Sequence, residues 1–568
     1  MLKNHVAHYI CLEKLLNIRI SCFFGLFLSC EGFLFDADRS GKHNLMTMLL
    51  KTSRRLSFSV LILVSLFFCA SSVSAESDLR LVNAAEIQDW DSVSDLLQRG
   101  VRADTSRADG VTALLWAAHW DAPETVDLLL NAGADVNAAE DHGVTPLARA
   151  CLNASVRMVQ KLLSVGADPN LAQTNGLTPL MIAAQTGNLE VVEALLSHDA
   201  DPNAATAATG ATALMWAVEE SHPQIARLLI DGGATIAVST TKGFTPLMTT
   251  ARQGDLEIAS ILIEGGVDLN ETGSDGTHAL PLAIMFGQYE FAHFLLENGV
   301  NPNASMGGIY ALHAAVGQIG TWMTHWNRQH GGSGLGGTFG RPGLSASGRL
   351  GVVKALLARG ADPNVRIETS ALVMSYIGHT KKGAFEPYAC GTGDLKGATP
   401  LWVAAFGANG SMGQIFAEFA HYNRSNSSVD IINTLLDAGA DLNLTTDDGT
   451  TPLMVAAGLG ISTHHPGEPR GLRSAVGEEA VKALLAAGSD INAVNEADFT
   501  ALHGAAFRGL NEIVELLVAR GAEIDARDFR GRTPYRLAEG SKQSFQFQSW
   551  PETADLLRSS NNNREKPP

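Results

Sequence analysis

Histidines, tryptophans and arginines gather in the middle third of this 568-residue chain, and they are the first candidates for chemistry. His325, His330, His379, His421, His464 and His465 would bind a metal if they converged. Metal sites read from sequence need ligands at short, fixed spacing, as in His-Glu-x-x-His, and none of these six has one. No acidic ligand lies between Gly317 and Arg349 either. Gly332-Ser-Gly334-Leu-Gly-Gly337 matches the glycine pattern of a dinucleotide loop, but it follows no strand and opens no helix, so it reads as a flexible loop. Gly343-Leu-Ser-Ala-Ser347 lacks the closing glycine of a nucleophile elbow. Aspartates and glutamates are plentiful, yet most fall at turn and cap positions, and nothing assembles a nucleophile, a base and an oxyanion site. The chain is expected not to be an enzyme and to need no cofactor.

What positions these residues is a clock. Thr-Pro-Leu or Thr-Ala-Leu begins at Thr112, Thr145, Thr178, Thr212, Thr245, Thr399, Thr451 and Thr500, with Thr-Pro-Tyr at Thr533 and degenerate copies at His278 and Tyr310. From Thr112 to Tyr310 the steps are 33, 33, 34, 33, 33 and 32 residues. A second mark, Gly-Ala-Asp or a near variant, follows 21 residues behind, at Gly133, Gly166, Gly233, Gly266 and Gly299, with Asp199 in the glycine's place in one copy. Threonine caps a first helix through its hydroxyl, and proline at the first helical position gives up an amide that had no partner. Small pairs such as Ala183-Ala184 let that helix pack closely. Apolar residues at helical spacing, as in Leu189 to Leu196, mark a second helix, which the glycine ends in a left-handed conformation. Asp-x-Asn then leads through a turn to the next threonine.

These residues closely resemble the ankyrin repeat, with its Gly-x-Thr-Pro-Leu-His, Ala-Ala, Leu-Leu and Gly-Ala-Asp-x-Asn pattern, over residues 79–557. The expected fold is an all-α solenoid with short β-hairpin fingers, an ankyrin-repeat array of about 11–12 repeats. One unit cannot bury its own apolar face, so stability must come from stacking neighbours. The family's histidine survives only at His313 and His503, and each replacement is expected to cost one side-chain hydrogen bond. The resemblance implies ligands meeting the finger tips and the exposed end of the first helix. By position, that face would show His119, Trp120, Met285, Phe286, Phe406, Phe507 and Arg508, with Phe244 and Phe499 near finger tips.

Three repeats break the clock. Their threonine-to-glycine distance grows from 21 to 50 (Tyr310 to Gly360), 40 (Thr399 to Gly439) and 37 (Thr451 to Gly488), and one finger, Gly360 to Thr399, spans 39 rather than about 12. Equivalent positions of neighbouring repeats lie side by side, so the three helix–helix inserts are expected to share one edge. Long loops of this kind are functional or disordered. The first carries Trp322, His325, Trp326, Arg328, His330, Phe339, Arg341 and Arg349. The second holds Ile415 to Tyr422, and the third His464, His465, Arg470 and Arg473. The finger adds Tyr376, His379, Lys381, Lys382, Phe385 and Tyr388. Trp, Tyr and Arg dominate binding hot spots. Three readings stand: a binding surface, with Trp322, His325, Trp326 and Arg328 at its centre, a local buttress with its own small core, and mobile decoration.

The amino terminus reads as an export signal. Lys51, Arg54 and Arg55 precede the apolar run Leu56 to Ala70, and Val73-Ser74-Ala75 forms a cleavage site before Glu76. Residues 46–75 are the expected signal peptide. Residues 1–45 are either a start-site artefact, with translation from Met46 or Met48, or an amino-terminal membrane segment around Ile20 to Phe35. Behind the signal the expected order is a capping repeat (76–108), regular repeats (109–306), repeats with long insertions (307–496), closing repeats and cap (497–558) and a disordered tail (559–568). Cleavage after Ala75 leaves 33 basic against 55 acidic residues, a net charge of −22. So acidic a surface argues against nucleic acid and anionic membrane as partners, because phosphate binding needs clustered Lys and Arg. Cys151 and Cys390 remain, too far apart for a disulfide framework. Cys151 falls on a small, core position of a first helix. The expectation is a monomeric, periplasmic or secreted interaction scaffold with a protein partner; the alternative is a small-ligand or metal-binding accessory protein using the histidine-rich inserts.

Overall fold

Nine threonines set the rhythm of the helices. Thr112, Thr145, Thr178, Thr212, Thr245, Thr399, Thr451, Thr500 and Thr533 all hold an extended backbone immediately before a first helix. Each hydroxyl accepts the amide three residues on, at 3.1–3.4 Å. That bond satisfies a donor the helix itself leaves orphaned. At one position without threonine histidine takes over, His278 Nδ1 accepting from the Leu280 amide at 3.1 Å; at the other His313 Nδ1 accepts the amide of the capping residue Tyr310 at 3.3 Å, as His503 does from Thr500.

The computed structural model of the chain describes residues 78–317, 346–369, 395–408, 427–459, 475–543 and 546–564. Among them lie twelve helix pairs, from Arg80–Glu86 with Trp90–Gln98 to Pro534–Glu539 with Pro551–Arg564. We number these repeats one to twelve. First helices pack on first helices in one unbroken row, and each packs on its own second helix behind it. Pairs of alanines let the row close up: Ala117 and Ala118, Ala183 and Ala184, Ala404 and Ala405 are all buried, with Leu129, Leu195 and Leu435 facing them from second helices. Cys151 takes the same place in repeat three and is fully buried, which pushes its thiol well above the ordinary range.

The glycines that end second helices adopt positive φ, as at Gly133 (87°) and Gly166 (92°). Asp199, in the glycine's place, adopts the same conformation at 64°. A Cβ added at Gly133 meets nothing within 4 Å, so only the backbone preference selects glycine there, and aspartate tolerates that region. The fingers are short. Ser305–Met306 pairs antiparallel with Ile309–Tyr310, and two further fingers hold single bridges, Ser106 with Thr112 and Thr272 with His278. Neighbouring finger tips are tied by one backbone bond each, such as Asp141 N to Asp109 O (2.8 Å), Thr174 N to His142 O (2.8 Å) and Glu496 N to Asp448 O (2.8 Å).

Side chains stitch the stack on both edges. Most asparagines of Asp-x-Asn donate to a carbonyl of the next repeat's helix-ending turn and accept an amide there, as Asn170 Nδ2 does to Asp199 O at 2.9 Å and Asp201 N to Asn170 Oδ1 at 2.8 Å, whereas Asn443 turns to its own Asp441. The same two bonds join Asn303 to Gly360 and Asp362, and Asn364 to Gly439 and Asp441. Both sets span a place where the clock breaks. A second stitch starts three residues after the capping position. His313 Nε2 meets Ala398 O at 3.0 Å, and His503 Nε2 meets Arg532 O at 3.2 Å. Trp402, expected to have forfeited this bond, makes it instead: its Nε1 donates to Thr450 O at 3.1 Å, from a ring with no exposure. The insertions therefore leave the register of the stack intact.

Two boundaries differ from expectation. The last helix runs past Ser559 to Arg564, so most of the segment expected to be a loose tail continues a helix. Repeat twelve also carries a hairpin between its helices, Ser541–Gln543 against Gln546–Gln548. The expected signal segment, residues 1–45, and most of the three helix–helix inserts and of the long finger, Cys390 included, lie outside the described residues.

Candidate functional site

In a row of first helices packed side by side, residues at equal distance from the capping position share one face. Four residues after the cap, repeats two to six present Trp116, Arg149, Ile182, Trp216 and Thr249. Seven and eight residues after it come His119 and Trp120, then Leu152 and Asn153, and further on Glu219 and Arg252. This inner face of the repeats, with the finger tips beside it, is the candidate site.

At its amino-terminal end three rings pack together. The His119 ring lies edge-on to Trp116 at 5.5 Å and to Trp120 at 4.7 Å, and the two indoles stack at 6.3 Å. Trp120 remains 41% exposed although its Nε1 donates to Glu86 O of repeat one at 3.2 Å. One repeat on, Leu152 is 52% exposed. Polar turns hold this apolar strip in place: Asn153 Nδ2 donates to Ala118 O and His119 O, and Gln253 Nε2 to Glu219 O. Arg252 grips Glu219 at 2.6 Å while its guanidinium sits 5.8 Å over the half-buried ring of Phe244. Phe286 is half-buried at the end of repeat seven's first helix. The structure thus brings His119 and Trp120 together at one end of the face and sets Phe244 and Phe286 farther along it.

Phe406, Phe507 and Phe499 are corrected. Phe406 is 2% exposed and stacks on Trp402 at 5.3 Å, and Phe507 is 3% exposed under the last repeat, whose Trp550 Nε1 donates to its carbonyl at 2.8 Å. Phe499 is fully buried, edge-on to His503 and Phe529. All three are core. Each has a large ring beside it, Trp402 on its own helix for Phe406, Phe529 for Phe499 and Trp550 for Phe507, and burial of so large an apolar ring outweighs display. Arg508 is half-buried beside them, packed over Gly458. Trp322, His325, Trp326 and Arg328 lie outside the described residues.

The sequence reading missed Trp116, Arg149, Ile182 and Trp216. Their signal was available, since two tryptophans 100 residues apart hold the same phase after their caps. Three nitrogens in this row are enclosed and lack a hydrogen-bond partner: Trp116 Nε1, Arg149 Nε and Trp216 Nε1. The buried histidines serve the stack instead. Burial pushes His278, His313 and His503 each down to about 4, so they are neutral near pH 7. Among the described residues no three His, Cys, Asp or Glu side chains are placed to share a metal, and no helix is long and apolar enough to cross a membrane. The six histidines considered as ligands lie outside those residues.

Comparison with known proteins agrees with this architecture. A family model of ankyrin repeats in three copies matches residues 81–173, 154–240 and 233–306. A many-copy ankyrin model matches 484–538, and a single ankyrin repeat matches 448–496. Among curated proteins, "Serine/threonine-protein kinase 12" of Arabidopsis thaliana is 47% identical over 57 residues, 10% of this chain and 12% of that protein. Human "Ankyrin repeat and KH domain-containing protein 1" is 36% identical over 107 residues, 18% of this chain and 4% of the relative. Human "Ankyrin repeat and SOCS box protein 16" is 32% identical over 133 residues, 19% of this chain and 29% of the relative. The chain spans less than a third of the length of each of these relatives.

Proposed function

The chain belongs to the ankyrin-repeat family, and we propose that it works as a non-catalytic protein-interaction scaffold in an exported compartment, binding through the inner face and the insert surface of repeats eight to ten. The observation that carries the reading is the inner face itself. Trp116, His119, Trp120 and Leu152 form an apolar, aromatic strip along neighbouring first helices, and Trp120 and Leu152 stay open at 41% and 52%. Exposed aromatic clusters with polar rims mark interaction surfaces. Rigid helices hold the strip, so a partner binds without ordering a loop first. Export rests on the basic, apolar and small-residue order of Lys51 to Ala75, and the insert half on the acid-free, aromatic stretch Gly317 to Arg349.

The test is a pull-down from extract of the exported compartment with three baits: residues 76–568, the same span with the three inserts cut to ordinary repeat length, and the same span with Trp120→Ala and His119→Ala. A protein held by the first and lost by the third supports the inner face, and loss from the second supports the inserts. Equal retention by all three would refute both surfaces.

A further inference from the structure

Between Asp78 and Gly317 the chain carries eight arginines, and seven hold a carboxylate: Arg80, Arg99, Arg102, Arg107, Arg157, Arg227 and Arg252. Arg149 does not. The cause is not a shortage of carboxylates in a chain with 59 acidic residues. Three acids of the first helices and fingers are paired elsewhere: Glu86 with Arg107, Glu219 with Arg252, and Glu140 with His142 at 3.1 Å. Arg149 stands four residues after Thr145, in the row between Trp116 and Ile182, on the face where its neighbours are apolar. Its Nε is enclosed without a partner, whereas neither terminal nitrogen is. An enclosed guanidinium nitrogen with no acceptor is costly, and that cost is recovered only when an acceptor arrives.

We propose that the inner face of repeats two to five receives an extended segment of a partner protein whose Asp or Glu side chain pairs with Arg149, with apolar side chains seated on Trp116 and Trp216. This rests on the scaffold reading and names the chemistry of its partner. One cation set between two indoles recognises one carboxylate flanked by apolar groups, since the planar fork of arginine matches a carboxylate through two parallel bonds. A nucleic acid would need several such cations along the groove, and the row offers one. The remaining donors, Trp116 Nε1 and Trp216 Nε1, call for carbonyl oxygens of the same segment as each indole turns toward it. Packed helices sit about 8–10 Å apart, and an extended chain rises about 3.3 Å per residue. Trp116 and Trp216 lie three repeats apart, so the segment spans about nine residues.

The experiment pans a phage-displayed library of random 12-residue peptides on the purified chain. Enriched peptides are then measured, as synthetic fluorescent probes, against the native chain, Arg149→Gln, Arg149→Lys and Arg157→Gln, with circular dichroism confirming each fold. The expected consensus is one Asp or Glu bracketed by apolar residues. Arg149→Gln should weaken binding about tenfold or more, and replacing the peptide's acid by its amide should weaken it as much. The two changes together should cost no more than either alone, the signature of a direct pair. Arg149→Lys should recover part of the affinity, and Arg157→Gln, which loses only an exposed outer pair, should change nothing. Peptides without a shared acid, acidic peptides indifferent to Arg149→Gln, or no enrichment at all would overturn the inference. In each case an intact partner retained in the pull-down would leave the scaffold reading standing.

Discussion

Replacing His313 with methionine should weaken the protein at neutral pH and strengthen it in acid. The imidazole has no exposure, accepts the Tyr310 amide at Nδ1 and donates from Nε2 to Ala398 O, an arrangement only the neutral ring can satisfy. Burial pushes its pKa from 6.5 to about 4. The unfolded chain therefore takes up a proton first, and the stability this residue contributes is full above about pH 6.5 and drains away toward pH 4. Integrating that difference gives a loss of about 3 kcal/mol by pH 4. Methionine already fills the same position at Met181, Met215, Met248 and Met454, so it fits the helix row. It cannot reach Ala398 O, and leaving that carbonyl unmet costs about 1–2 kcal/mol. The variant should therefore be less stable at pH 7 by about that amount, and its curve should cross the native one near pH 5. Urea midpoints and slopes of both chains, followed by circular dichroism from pH 7.5 to 4, measure this. Protonation of His278 and His503 is common to both chains and cancels. Parallel curves would refute the buried neutral histidine as a source of acid sensitivity.

Trp402→Phe keeps a buried ring but loses the bond to Thr450 O, and its urea midpoint should fall by an amount equivalent to about 1–3 kcal/mol. An unchanged midpoint would mean that the carbonyl finds another donor. Phe507→Ala should cost about 3–5 kcal/mol of stability, as a core ring does. Trp120→Ala, by contrast, should reduce partner retention with little change in midpoint. The Cys151 thiol, buried and held protonated, should ignore a thiol reagent until denaturant opens the stack, and its labelling rate should track unfolding. Fast labelling in native buffer would contradict its place in the core.

The fold was legible because each signal in the repeat has a local cause. A threonine hydroxyl caps a helix wherever the next residues are helical, and the nine threonines did so at every repeat where they occur. The left-handed turn even survived at Asp199. The binding face was less legible, because exposure depends on which large neighbours pack around each position. Phe406 and Phe507 share the phase of His119, yet Trp402 of the same helix stacks on the first and Trp550 of the next repeat lies against the second, while a small polar turn follows the third. Trp402 shows the same limit from the other side. Its residue type differs from histidine, but an indole N–H reaches the carbonyl that an imidazole N–H would have reached.

The stitches across the insertions also govern when the stack can form. His503 closes to Arg532 over 29 residues, but His313 must find Ala398 over 85. Loop closure grows as the logarithm of length, so the longer search costs about 1 kcal/mol more entropy, roughly a fivefold slower encounter. Repeats one to seven have no such gap between neighbours and can zip from any nucleus by short-range contacts. The array should then assemble in two bursts separated by a pause at repeat eight, with the inner face complete before the carboxy-terminal repeats arrive.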